Sequence, residues 1–155
     1  MNTIIFDTTL ITSKNNATIV ELSKLSNKKY RMQSRLFMCD GVKLFQEAIL
    51  FDAKIKYIIL NNDTVFESNI VEEIKKCAQN GTKILCVDEQ VFLKLTTENS
   101  PQGIITVCEF YDKKHTFSAF VENDDFDSKS IIILEAVRDP GNIGTIFRNA
   151  VALGV

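Results

Sequence analysis

With 155 residues, 45% of them hydrophobic and 25% charged, the chain has the balance of a globular protein with one ordinary core, or one domain and part of a second. Aliphatic-rich segments recur along the whole length, which excludes a disordered chain, and no apolar run approaches the ~20 residues of a membrane helix. The formal net charge of -2 points to no partner, but residues 1–43 hold seven cations (Lys14, Lys24, Lys28, Lys29, Arg31, Arg35, Lys43) against three acids (Asp7, Glu21, Asp40). Such a basic patch on a mildly acidic protein suits a directed anion contact, or simply a solvated surface.

The elements follow in chain order. ATIVELSKL (17–25) places Ile19, Val20, Leu22 and Leu25 at helical intervals. SNKKYRMQSR reads as a basic, uncapped loop, and LFMC (36–39) as a short strand. Asp40 then stands as an N-cap before GVKLFQEAILF, whose inner face would hold Val42, Phe45 and Ile49. KYIIL (56–60) is a strand closed by the turn Asn61-Asn62-Asp63. Asn69 and Glu72 have the spacing of a capping box for a helix reaching Ala78, with Ile70, Ile74 and Cys77 inward and Gly81 beyond its end. KILCV (83–87) is a strand, Asp88 caps a short helix with Val91, Phe92 and Leu95, and GIITVCEF (103–110) is a further strand after the turn TTENSPQG. Strands alternating with helices imply βαβ units and a mostly parallel sheet, and the lack of polar alternation implies burial on both faces.

Residues 111–130 break this pattern and read as a linker. Their acidic cluster, Asp124, Asp125 and Asp127, lacks the glycine and distal glutamate of a calcium loop. The four cysteines form no CxxC pair and His115 is the sole histidine, so no metal site is expected. Cys39, Cys86 and Cys108 lie in apolar runs and read as reduced core residues of a cytoplasmic protein, and the N-terminus has no signal-peptide pattern.

The closing segment carries the chemistry. IIILEA (131–136) is the strongest strand signal, VRDPGN is a turn, and a helix follows from about Asn142 to Leu153 with Gly154 after it. On that helix Ile143, Ile146, Phe147, Ala150, Val151 and Leu153 form an apolar arc, while Asn142, Thr145, Arg148, Asn149 and Ala152 form the other side. In α/β sheets, ligands bind beyond the carboxyl ends of strands, where Asn142 and Arg148 would sit. A plain βα corner is the simpler alternative. Gly141 and Gly144 lack the third glycine of a dinucleotide fingerprint, and GK[ST] of a Walker loop is absent.

RDPGNIGTIFRNAVALG closely resembles the first signature motif of the SpoU/TrmH family of RNA 2′-O-ribose methyltransferases, roughly D-P-x-N-x-G-x-x-x-R-x-A-x-x-x-G. Asp139, Pro140, Asn142, Gly144, Arg148, Ala150 and Gly154 fill all of its fixed positions. Upstream, KLSNKKYRMQSRLFMCDGVKLFQEAI and SPQGIITVCE resemble the start and end of the family's substrate-binding domain. Two positions depart from it: Asp40 stands where glutamate is usual, and Arg35 where a glycine often precedes the strand.

The resemblance implies an α/β protein. A three-layer α/β/α, L30e-like RNA-binding domain would span 1–110, a linker 111–130, and the first βα unit of a truncated SPOUT trefoil-knot methyltransferase domain 131–155. The full-length enzyme would use S-adenosylmethionine, methylate ribosomal RNA (23S) or transfer RNA, and dimerise through the missing C-terminal domain. Arg148 and Asn142 would be its catalytic pair, and Lys28, Lys29, Tyr30, Arg31 and Arg35 would contact RNA. No cofactor-binding residue is expected within this chain, which would bind no cofactor and transfer no methyl group. Its uncovered terminal strand and helix would drive self-association. A non-enzymatic L30e-like RNA-binding protein is the alternative. A nucleotide-binding oxidoreductase fragment is a third.

Overall fold

The computed structural model describes residues 8–111 and 130–154. The chain divides into two compact units, 1–111 and 112–155. The acidic cluster and His115, with most of the expected linker, lie outside the described residues.

The first unit begins with α1 (Ala17–Ser23), capped by Asn16, whose side chain accepts from the amides of Thr18 and Ile19. A 3-10 turn, Lys24–Ser26, leads into α2 (Lys28–Ser34) and β1 (Leu36–Asp40). Then come α3 (Val42–Leu50), β2 (Ile55–Asn61), α4 (Ser68–Gln79), β3 (Lys83–Val87), α5 (Glu89–Leu95) and β4 (Ile104–Glu109).

The strands form one sheet in the order β1-β4-β2-β3. The expected mostly parallel arrangement is corrected here. β2 and β3 are parallel, but β4 runs antiparallel to both β1 and β2 and lies between them. Apolar runs report burial on both faces, and a central strand has that whichever way it points. Only the route from α5 through residues 96–103 sets its direction.

The period-2 alternation of the strands sorts the core into two clusters. Ile59, Val87, Ile105 and Val107 meet Ile19, Leu22, Val91, Phe92 and Leu95 from α1 and α5 on one face. Ile58, Leu60 and Ile104 meet Phe45, Ile70 and Ile74 from α3 and α4 on the other. Helices therefore cover both faces, giving three layers.

Four local expectations change. SNKKYRMQSR is not a loop: Asn27 caps α2 by accepting from the Lys29 amide at 2.8 Å, and Lys, Arg, Met and Gln are good helix formers. Asp40 ends β1 rather than capping α3. The cap position belongs to Gly41, with φ of 101°, and Gln102 Oε1 accepts from the Val42 amide at 2.8 Å across 60 residues. Asn69 lies inside α4, which starts after Glu67 without a side-chain cap, so the capping box does not form. Ile49 is 37% exposed and Ala48 takes its place in the core. Asp88 does cap α5, accepting from Val91 at 2.8 Å, and Gly81 takes positive φ after α4, as Gly154 does near the end of the chain's last helix.

In the second unit, residues 131–136 form no strand. Ile131, Ile132 and Ile133 are 45%, 45% and 84% exposed. β-propensity alone cannot complete a ladder, which needs a partner strand for its backbone groups. The helix that follows, α6 (Pro140–Ala152), starts two residues earlier than expected and is capped by Asp139 with Pro140 in its first turn.

Candidate functional site

α2 decides how the basic segment is displayed. Lys28 and Lys29 occupy its first turn and are exposed. Cations at the positive end of a helix dipole lose a few tenths of a kcal/mol each, so neither lysine stabilises α2. Tyr30 turns inward. Its ring packs beside the first core cluster and its hydroxyl donates to Glu21 Oε1. Glu21 also pairs with Lys24 at 2.9 Å, and Lys24 Nζ stands 5.6 Å from the Tyr30 ring centre. The hydrogen bond from Tyr30, then that from Lys24, holds the Glu21 carboxyl below its usual range, and the same bond raises the Tyr30 phenol.

Arg31 is committed to the backbone, donating through one guanidinium nitrogen to the carbonyls of Leu25 and Ser26, both at 2.8 Å. Arg35 terminates α2 in the left-handed region, φ 57° and ψ 31°. Its guanidinium lies 4.7 Å from the Phe110 ring centre, and its carbonyl accepts from the Phe110 amide at 2.8 Å. The five expected contact residues therefore separate. Lys28 and Lys29 face outward, Tyr30 and Arg31 are held in the fold, and Arg35 is exposed but stacked.

α6 builds the second group of residues. Asp139 Oδ1 accepts from the Gly141 amide at 3.0 Å and fixes the turn into the helix. The Thr145 hydroxyl donates to the Gly141 carbonyl at 2.9 Å and accepts from Arg148 Nη2 at 3.1 Å. A Cβ at Gly144 would stand 3.5 Å from Arg148 Nη1, so the guanidinium lies back over this glycine towards the start of the helix. Gly141, Thr145 and Arg148 repeat at helical i+4 and i+3 spacing. Helical spacing alone puts Thr145 on the polar side, while its contact with Arg148 appears only in the structure. Arg148 and Asn142 are both exposed, and no hydrogen bond joins them among the described residues.

Two further polar features lie in the first unit. Thr96 Oγ1 donates to Asp40 Oδ2, while Asp40 Oδ1 is buried without a partner. Burial pushes the Asp40 carboxyl up, against the Thr96 hydrogen bond, and Glu98 adds to the rise. The four cysteines are free thiols. Among the described residues no group of His, Cys, Asp or Glu is placed to hold a metal ion, and no helix is long and apolar enough to cross a membrane.

Residues 16–106, more than half of the chain, match the family described as the MRM3-like substrate binding domain. The chain belongs to this family. The match covers α1 to β4 and stops before α6, which carries the SpoU/TrmH-like motif. The MRM3-like chain is 27% identical over 145 residues to the 23S rRNA (guanosine(2553)-2′-O)-methyltransferase RlmP of Bacillus subtilis, covering 94% of this chain and 51% of that protein. Among solved structures it is similar to an AdoMet-bound rRNA methyltransferase from Sinorhizobium meliloti, with 27% identity, TM-score 0.66, and 95% and 52% of the two chains covered. It also shares its fold with the SpoU methyltransferase AviRb from Streptomyces viridochromogenes, with 20% identity, TM-score 0.59, and 91% and 51% covered. The chain spans about half the length of these relatives. The first two are named as rRNA methyltransferases and the third as a SpoU methyltransferase, the family whose first motif DPGNIGTIFRNA resembles.

Proposed function

We propose that this chain is the RNA-binding portion, with the opening motif of the catalytic domain, of an S-adenosylmethionine-dependent RNA ribose 2′-O-methyltransferase acting on 23S rRNA or tRNA. The observation that carries the reading is the order of parts: an MRM3-like domain over 16–106, then an exposed α6 with every fixed position of the SpoU/TrmH-like motif occupied. On this reading the first unit is the L30e-like substrate grip, and residues 131–155 open the SPOUT domain.

Arg148 acts by position. A guanidinium has pKa above ~12 and makes a poor base, but its planar fork grips a phosphate through two parallel hydrogen bonds. Thr145 and Gly144 aim that fork. A gripped phosphate holds the neighbouring ribose hydroxyl in line for transfer, and Asn142 orients the ribose. S-adenosylmethionine would supply the methyl group. α6 has no buried residue, so it offers no desolvated cradle for an adenosyl group, and no residue of this chain is assigned to the donor. Methyl transfer by residues 1–155 alone is therefore not expected.

Exposed Phe147 and Val151, at 57% and 78%, fit an interface in the complete protein, where a homodimer is expected. Sedimentation analysis of that protein as a monomer would remove the dimer. The main test is ribose-methylation mapping of ribosomal and transfer RNA in cells lacking the gene, complemented with the full-length protein or its Arg148→Ala form. The reading expects one methylated ribose to disappear, to return with the wild type and to stay absent with Arg148→Ala. Full methylation by the variant would remove Arg148 from the mechanism, and an unchanged map would refute the reading.

A further inference from the structure

A groove of about 520 Å³ opens between α1, α2 and the starts of β1 and β2, within the roughly 300–1,000 Å³ of ligand sites. Its apolar walls are Leu22, Leu25, Leu36 and the rings of Tyr30 and Tyr57. Thr18, Glu21, Ser34 and Lys56 give it a polar rim.

Lys56 is there because of a slip in the sheet. Ile55 pairs with Cys108 and Tyr57 with Val107, so two steps along β2 match one along β4 and Lys56 is an extra, bulged residue. A bulge re-aims a side chain that regular pairing would send elsewhere. Regular alternation would turn Lys56 to the face of Ile58, while the groove belongs to the face of Tyr57 and Ile59. Lys56 is exposed and pairs with no acid among the described residues. Lys83 Nζ stands 5.8 Å from the Tyr57 ring centre, adding a second cation beside the same wall. Glu21 is the sole acid of the rim, and Lys24 at 2.9 Å offsets its charge.

Two rings, an exposed ammonium group and hydrogen-bonding groups around an open slot match a flat, polar-edged anion. We infer that this groove takes one unpaired nucleotide of RNA, its base against Tyr30 and Tyr57 and its phosphate on Lys56. The inference rests on the RNA-binding reading above and adds to it a base-stacking site separate from Lys28 and Lys29. Aromatic stacking tolerates any base, so the groove holds single-stranded RNA without reading its sequence.

The chain contains three tyrosines and no tryptophan, and two of the three line the groove, so tyrosine emission reports its occupancy directly. Pentaadenylate RNA titrated into the 155-residue chain is expected to quench that emission saturably. Lys56→Ala should weaken binding about fivefold and lower the slope of log K against log salt by about 0.7, while Lys56→Arg keeps the wild-type affinity. Circular dichroism checks that the exposed substitution leaves the fold intact. A Lys28→Ala/Lys29→Ala protein should bind more weakly yet reach the full amplitude of quenching at saturating RNA. RNA that binds without changing tyrosine emission, or with an affinity indifferent to Lys56→Ala, overturns the groove and leaves the RNA-binding reading standing. A chain that binds no RNA overturns both.

Discussion

Arg35 offers a test in which stability and geometry disagree with ordinary helix preferences. It holds a left-handed conformation, φ 57° and ψ 31°, at the end of α2. That region costs an L-residue about 1–2 kcal/mol and costs glycine nothing. Glycine gives up about 0.5–1 kcal/mol of chain entropy relative to alanine, which offsets part of the gain. The wild-type guanidinium recovers something by stacking on Phe110 at 4.7 Å, a contact of about 0.5–1 kcal/mol when exposed. Arg35→Ala loses that contact and keeps the strain. Arg35→Gly loses the same contact and releases the strain. Comparing these two variants cancels every side-chain contact, so their difference isolates the backbone. The Arg35→Gly protein should be more stable than Arg35→Ala by about 1 kcal/mol, the sign expected wherever φ is positive. Urea unfolding followed by circular dichroism reads this as a shift in midpoint at constant m-value. Equal midpoints, or a higher one for Arg35→Ala, would refute the left-handed cap.

Lys28→Ala and Lys29→Ala should leave the urea midpoint within about 0.5 kcal/mol of wild type and weaken RNA binding in filter or anisotropy assays. Arg31→Ala should do the opposite, costing about 1.5–3 kcal/mol by releasing the Leu25 and Ser26 carbonyls, with RNA affinity retained below the unfolding transition. Gly103→Ala should destabilise by about 3 kcal/mol or more, since φ is 76° and the new Cβ would fall 2.0 Å from Thr64 Oγ1. A midpoint close to wild type would disprove that close approach.

Asp40 gives a pH signature. Its folded pKa is raised above the ordinary 3.8 by burial, so the folded state binds the proton more tightly than the unfolded state. Stability from this group is full below 3.8 and falls as pH rises through the raised value. Asp40→Asn should flatten that decline in urea midpoints measured upward from pH 4. An undiminished decline would assign it to another group.

Local signals were readable where a residue acts on its own neighbourhood. The helical spacing of Ile19, Leu22 and Leu25, the Asp88 cap and the apolar runs of all four sheet strands reported the elements directly. The residue types at Asp139, Asn142, Gly144 and Arg148 carried the likeness to the SpoU/TrmH motif. Misreadings arose where the deciding partner is distant in sequence. Asp40 was given the cap that Gln102 supplies from 60 residues away. Residues 131–136 were given a strand whose ladder needs another segment.

What the sequence determined by itself was therefore the four sheet strands and most of the helices, which depend on short-range periodicity, together with the likeness to the SpoU/TrmH motif, which rests on residue identities at fixed spacing. The tertiary structure decided the antiparallel insertion of β4, the hydrogen bonds that Tyr30 and Arg31 make to neighbouring elements, and the bulge at Lys56. Strand direction and register follow from chain routing and from pairing across the sheet, and hydrophobic pattern is blind to both.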